Sequence, residues 1–246
     1  MVISLGDIVI SIILALISGF AGIKLYLTIP ASWLCDYNEL PGKEHCRDAR
    51  LFYGYGESVW IFIGSTVCFI GLCGNLFYSH TSYSFKAQIP DLSVLRDLLK
   101  LSAVFIILFI STLSDLRYRI IPDQSCISLT GLAILPVIFE NGEKATALLN
   151  VGIGAAFIGG LMVLAAALSW IFYGSNALGF GDVKLMAACG AVVGGIDAVG
   201  VFVIATLSSA IYFISGLLLK RIKADDTHPM APWIGFATLI CISVNI

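Results

Sequence analysis

Residues 147–173 read ALLNVGIGAAFIGGLMVLAAALSWIFY, 27 consecutive positions without one charged side chain. A helix rises about 1.5 Å per residue, so this run reaches about 40 Å. That exceeds the roughly 30 Å of hydrocarbon in a bilayer, leaving length to tilt or to extend past the interface. Further apolar segments stand at about 4–25, 58–78, 98–116, 124–140, 183–196, 198–219 and 230–246. The chain is 59% hydrophobic and 12% charged, about half the charge of a soluble domain. These observations predict an all-α, polytopic integral membrane protein with about eight transmembrane helices. The start, Met1–Ile23, lacks a basic n-region and a small-residue cleavage site, and reads as a retained first helix.

Two of the segments carry a topological question. The sixth, 183–196, is short and holds Gly190, Gly194 and Gly195, which suits a tightly packed or partial span. It meets the seventh near Asp197, and merging them would change the topology. In the fifth, Gly152, Gly154, Gly159 and Gly160 would let neighbouring backbones come close.

Orientation follows from the basic residues. With eight spans and the first crossing inward, one side receives Lys24, Lys43, Arg47, Arg50, Arg117, Arg119, Lys184, Lys220, Arg221 and Lys223. The other side receives Lys86, Arg96, Lys100 and Lys144. The ten-to-four division puts the larger set in the cytoplasm. Residues 30–57 then form a polar cytoplasmic loop with Trp33, Cys35 and Cys46. Residues 79–97 lie on the outer side and are expected to carry a short interfacial helix, Leu92–Leu99. No basic run is long enough to suggest nucleic acid. Five of the seven cysteines (Cys68, Cys73, Cys126, Cys189 and Cys241) fall in apolar stretches, where a thiol acts as a small hydrophobe.

Two polar islands interrupt this pattern, Asp115-Leu-Arg117-Tyr-Arg119-Ile-Ile-Pro122-Asp123 and Gly179-Phe-Gly181-Asp182-Val-Lys184. The charge count places both on the cytoplasmic side. A carboxylate at a membrane edge is costly unless paired or wetted, and so marks a functional site. Each acid also has a plain structural reading. Asp115 can pair with Arg119 at i+4. Asp123, after Pro122, can cap the next helix, and Arg117 and Arg119 can anchor the topology or help hold a substrate. Gly179 and Gly181 leave a loop free to bend or to admit a peptide. Asp182 then opens a helix whose dipole favours its charged form, with Lys184 at headgroup level.

The sharper reading joins the islands. Two carboxylates at close range share one proton, so that one serves as base and the other as acid. The base activates water against a peptide carbonyl and the acid protonates the departing groups. Other chemistry is poorly supported: His45, His80 and His228 form no H-E-x-x-H, and neither G-x-S-x-G nor a phosphate-binding loop occurs. A different class of function, a transporter or assembly subunit using the acids as a proton path, is the alternative.

The Asp115-to-Asp123 segment and Gly179-Phe-Gly-Asp182 together resemble the type IV prepilin peptidases, bacterial GxGD-type aspartyl proteases. The resemblance is strongest over about 98–220. It continues weakly through Pro229-Met-Ala-Pro232-Trp-Ile-Gly-Phe236. Presenilin-like enzymes share Gly-x-Gly-Asp, but the Arg-rich Ile-Pro-Asp segment fits prepilin peptidases better. The resemblance implies a catalytic pair, Asp115 and Asp182, with Arg117, Arg119, Pro122, Asp123, Gly179, Gly181 and Lys184 as supporting motif residues. It implies cleavage of leader peptides from type IV prepilins or pilin-like secretion subunits, at the cytoplasmic face of a bacterial inner membrane. No cofactor is expected for proteolysis.

Many such enzymes also methylate the new N-terminus with S-adenosylmethionine. Here the N-terminal region, 1–97, departs from their pattern, whereas 98–246 reads as the protease core. The opening is Ser18-Gly-Phe-Ala-Gly-Ile-Lys24, and Cys35 and Cys46 stand where those enzymes have two Cys-x-x-Cys pairs. A four-thiolate zinc site is therefore not expected. Methylation is less firmly implied than cleavage.

Overall fold

The computed structural model describes residues 5–28, 92–139, 143–173, 179–220 and 228–245. Every regular element among the described residues is an α-helix: α1 (Leu5–Thr28), α2 (Leu92–Tyr118), α3 (Asp123–Phe139), α4 (Lys144–Tyr173), α5 (Phe180–Val193), α6 (Ala198–Leu218) and α7 (Ala231–Asn245). Three hold stretches long and apolar enough to cross a membrane, within Leu99–Leu116, Lys144–Ile171 and Ala198–Leu218. The expected all-α membrane architecture is met. Each helix falls on an apolar segment read from the sequence; the remaining segment, 58–78, and the loop with Cys35 and Cys46 lie outside the described residues.

One boundary differs from expectation. Residues 92–99 are not a separate interfacial helix but the start of α2, which runs unbroken for 27 residues. No Gly or Pro lies between Leu92 and Tyr118, so nothing interrupts the ladder where the sequence turns from polar to apolar.

The chain divides into two compact units, Met1–Ile110 with Ile246, and Ser111–Asn245. Within the first, Gly22 of α1 faces the Phe109 ring, and a β-carbon there would sit 3.1 Å from it. Phe109 in turn stacks on Phe105, with centroids 6.0 Å apart.

The second unit is built around α5, which packs against α3, α4, α6 and α7. Leu185, Met186, Ala188, Cys189, Gly190, Ala191 and Val192 are all buried. A short helix with an apolar surface on every side belongs inside a bundle. By contrast α4 and α6 expose Leu149, Phe157, Leu164, Trp170, Leu207 and Ile211. Outward apolar faces of this kind suit lipid as the surrounding solvent.

Lipid tails are as apolar as leucine, so close packing rather than escape from water holds such helices together. The α4–α5 contact uses glycine for this. A methyl group at Gly154 would overlap the Gly190 carbonyl oxygen, and one at Gly190 would overlap that of Gly154. Gly159 faces Ala187, where an added β-carbon would lie 3.1 Å from the alanine methyl. Gly152 and Gly160 meet nothing within 4 Å, so two of the four glycines singled out in this run serve the contact.

Segments six and seven are distinct helices. Gly194 and Gly195 adopt φ of 79° and 54°, a region that other residues enter only with strain. The Gly194 N–H closes α5 on the Gly190 carbonyl at 2.8 Å, and the Gly195 N–H reaches the Asn150 carbonyl of α4, also at 2.8 Å.

Candidate active site

Asp115 lies in the last turns of α2 and is buried, at 6% exposure. The helix ends just after it because Arg119 takes φ of 58°, the left-handed conformation in which helices commonly terminate. For a residue with a β-carbon this costs about 1–2 kcal/mol, and the surrounding bonds hold it. The Arg119 N–H donates to the Asp115 carbonyl at 3.0 Å. The buried Ser114 hydroxyl donates to the Ile120 carbonyl at 2.7 Å. Ile121 then precedes Pro122, which disfavours helix at that position, and α3 begins at Asp123.

The Asp115 carboxylate is held from far along the chain. Its Oδ2 accepts the Ala231 N–H at 2.9 Å, a buried bond across 116 positions. Ala231 is the first residue of α7, between Met230 and Pro232. The free N–H groups of a helix N-terminus carry partial positive charge and attract an anion. Pro229 and Pro232 have no N–H, which leaves Met230 and Ala231 as the donors of this stretch. The Met230 N–H also interacts with Asp115. Asp115 thus acts as a tertiary cap for α7, and the Arg119 charge bears on both Asp115 and Asp182.

Asp182 is the third residue of α5. Its N–H donates to the Gly179 carbonyl at 3.1 Å. Gly179 has φ −70° and ψ 137°, an extended conformation open to any residue, so its glycine character is used for room rather than for backbone freedom. A β-carbon at Gly179 would lie 3.1 Å from Asp182 Oδ2. Gly181 is used in the same way: a β-carbon there would lie 3.3 Å from that of Ile121. The turn after α2 therefore rests against the first turn of α5. Phe180, between the two glycines, is exposed.

The electrostatics of Asp182 depart from the sequence expectation. Its carboxyl is pushed up to about 7, first by burial and then by the neighbouring Asp115 charge; the Gly179 N–H and Arg119 pull weakly the other way. Its Oδ1 is buried and has no hydrogen-bond partner. The helix dipole was expected to hold this acid in its charged form. Desolvation outweighs it, because the carboxyl itself is turned in among neighbouring groups, with Oδ1 buried, although Phe180 in the same turn is exposed.

The remaining motif residues divide. Asp123 begins α3, and its Oδ1 accepts from Lys184 Nζ at 2.8 Å. Lys184 also lies over the Phe180 ring, 4.9 Å from its centroid. Pro122 is buried, and its carbonyl accepts the Ser125 N–H at 3.0 Å. The Arg117 side chain lies outside the described residues. Ser114, Ile121 and Ala231 were not singled out from the sequence. The only signal for Ala231 was its place in the Pro229-to-Phe236 stretch, which reads as a helix start without indicating what the start faces. Cys126, Cys189 and Cys241 are buried free thiols. Among the described residues no group of three or more His, Cys, Asp or Glu side chains could hold a metal ion.

With this geometry in view, the comparison with known families is informative. Residues 102–214 match the type IV leader peptidase family. The resemblance drawn from the acid motifs is borne out over these residues. The leader-peptidase segment contains Asp115, Asp123 and Asp182, whereas Ala231 lies beyond it. The match supports a peptidase with substrates of the prepilin type in general. Somatostatin receptor type 1 of Rattus norvegicus and that of Mus musculus are each 34% identical to this chain over 86 residues. The similarity covers 32% of this chain and 22% of each receptor, too little of the receptors to carry an argument about activity. No solved structure matches.

Proposed function

We propose that the protein is a membrane-embedded aspartic endopeptidase that removes leader peptides from type IV prepilins or pilin-like secretion subunits, with Asp115 and Asp182 as its acid–base pair. The observation that carries this reading is the convergence of the two acids within the leader-peptidase segment, near enough for the charge of one to raise the proton affinity of the other. The excess of Lys and Arg on one side supports a site at the cytoplasmic face of a bacterial inner membrane.

The two environments suggest a division of labour. Asp115, bonded to the α7 N-terminus, is the base; Asp182, which keeps its proton up to about pH 7, is the acid. Asp115 takes a proton from water as the water oxygen bonds to the scissile carbonyl carbon. Asp182 gives its proton to the carbonyl oxygen, forming a neutral tetrahedral intermediate. On collapse the C–N bond breaks, the nitrogen takes the proton held by Asp115, and Asp182 recovers one from a hydroxyl. Two acids and a water balance the reaction.

The test is co-expression with a candidate prepilin, reading leader loss by mass spectrometry. Asp115→Asn and Asp182→Asn keep side-chain size and remove acid–base capacity. Each is expected to reduce processing at least a thousandfold. Normal processing by either variant, stably expressed, would remove that residue from the pair. N-methylation of the mature end, with S-adenosylmethionine as donor, is a second activity within this reading, assigned to the N-terminal region. The same spectrum reads it as a mass increment of one methyl group.

A further inference from the structure

The turn carrying Asp115 and the helix carrying Asp182 touch on both sides of Asp182 in sequence. On one side Gly181 lies against Ile121. On the other, Lys184 Nζ reaches Asp123 Oδ1 at 2.8 Å across 61 positions. Lys184 is further steered by the Phe180 ring beneath it. Ile121 and Asp123 flank Pro122, so both contacts are made by the same short stretch that follows Asp115.

We infer that Asp123 and Lys184 form a clasp that sets the position of Asp182 relative to Asp115, making both of them positioning residues for the reaction. This rests on the aspartic-peptidase reading above. The geometry gives the clasp leverage. Asp182 and Lys184 lie on the same opening stretch of α5, so a shift of the lysine moves the carboxyl with it. Asp115 and Asp123 are joined by a segment fixed through Ser114, the left-handed Arg119 and Pro122. Ion pairing across the gap therefore fixes the two carboxyls with respect to each other. Both partners are about one-third exposed, at 34% and 38%, so the pair is partly screened and adds little to overall stability. Its consequence falls on geometry, where a displacement near 1 Å costs about a hundredfold in rate.

A double-mutant cycle on prepilin cleavage by the full-length protein in detergent or vesicles tests the clasp. Lys184→Met and Asp123→Asn are each expected to lower kcat about ten- to a hundredfold, with KM changed less than threefold. The double variant is expected to fall no further than the worse single one. Lys184→Arg, which can still reach the carboxylate, is expected to recover most of the rate. Multiplicative losses, a defect confined to KM, or normal cleavage by Lys184→Met would each overturn the proposal. Thermal midpoints of the same variants separate positioning from folding, since a rate loss that tracks loss of fold would also overturn it. Asp115→Asn and Asp182→Asn run alongside: if they cleave normally, the aspartic reading itself fails. If they are inactive while Lys184→Met is normal, only the clasp fails.

Discussion

The two acid-bearing helix ends are built differently. At the end of α2, Asp115 is surrounded by directed bonds: Ala231 donates to its carboxylate, Arg119 to its carbonyl, and Ser114 fastens the turn beyond it. At the start of α5, Asp182 has a buried oxygen without a hydrogen-bond partner and a carboxyl raised to about 7. The first arrangement restrains a carboxylate. The second supplies fewer such bonds, and there burial together with the Asp115 charge makes the charged form costly. Under the proposed division of labour, chemically identical side chains take unequal roles from their surroundings, the general device by which acid and base are separated in one site.

The comparison can be broken most decisively by exchanging the roles. Under the proposed division, Asp115→Asn and Asp182→Asn both lose processing at least a thousandfold, but the wild-type pH profile belongs to Asp182. The rate is expected to fall above about pH 7 as that acid loses its proton. A kcat profile flat from pH 6 to 9 would remove Asp182 as the acid.

A smaller effect isolates the anchor. Ala231→Pro deletes the N–H given to Asp115 at a helix start, where proline is otherwise tolerated. Losing a hydrogen bond to a charged group costs about 1.5–3 kcal/mol, so cleavage is expected to drop about ten- to a hundredfold. Ala231→Gly, which keeps the N–H, is expected to stay within threefold of wild type. Equal losses in the two variants would show that the alanine methyl matters rather than the bond.

The smallest effect concerns stability. Asp182 has a folded value of about 7 against 3.8 for the free side chain, so between these values the unfolded chain has released a proton that the folded one retains. Stability contributed by the protonated acid is then present below about pH 4 and is lost as pH rises towards 7. Asp182→Asn removes this dependence. Its thermal midpoint, relative to wild type, is expected to rise by a few degrees between pH 5 and pH 8. A constant difference across that range would show that burial does not control this acid.

The helices and the acids were legible in the sequence, because both are written locally. Apolar segments need only length, and Asp115 and Asp182 stand out as polar residues at the edges of such segments. The partnerships were not legible. Ala231 meets Asp115 across 116 positions and Lys184 meets Asp123 across 61, and no local pattern announces either. The helix dipole alone does not account for Asp182, since a dipole is a property of one helix whereas desolvation depends on what packs around it. Glycine shows the same limit: Gly154 and Gly152 look alike in sequence, yet one meets the Gly190 backbone and the other faces open space.

On the proposed reading, the length of α5 sets a further condition on the substrate. Its 14 residues rise about 21 Å, roughly 9 Å less than the hydrocarbon of a bilayer. A helix this short, lying among longer neighbours, cannot bring both of its ends to the headgroups. If the Asp182 end is the recessed one, the scissile bond must be lowered to the acids, and water must follow it. A chain segment already leaving the membrane in extended form could make that descent, whereas a folded loop approaching from solution would be held above it. Selection of substrates could then begin with depth, before any side chain of the leader is read.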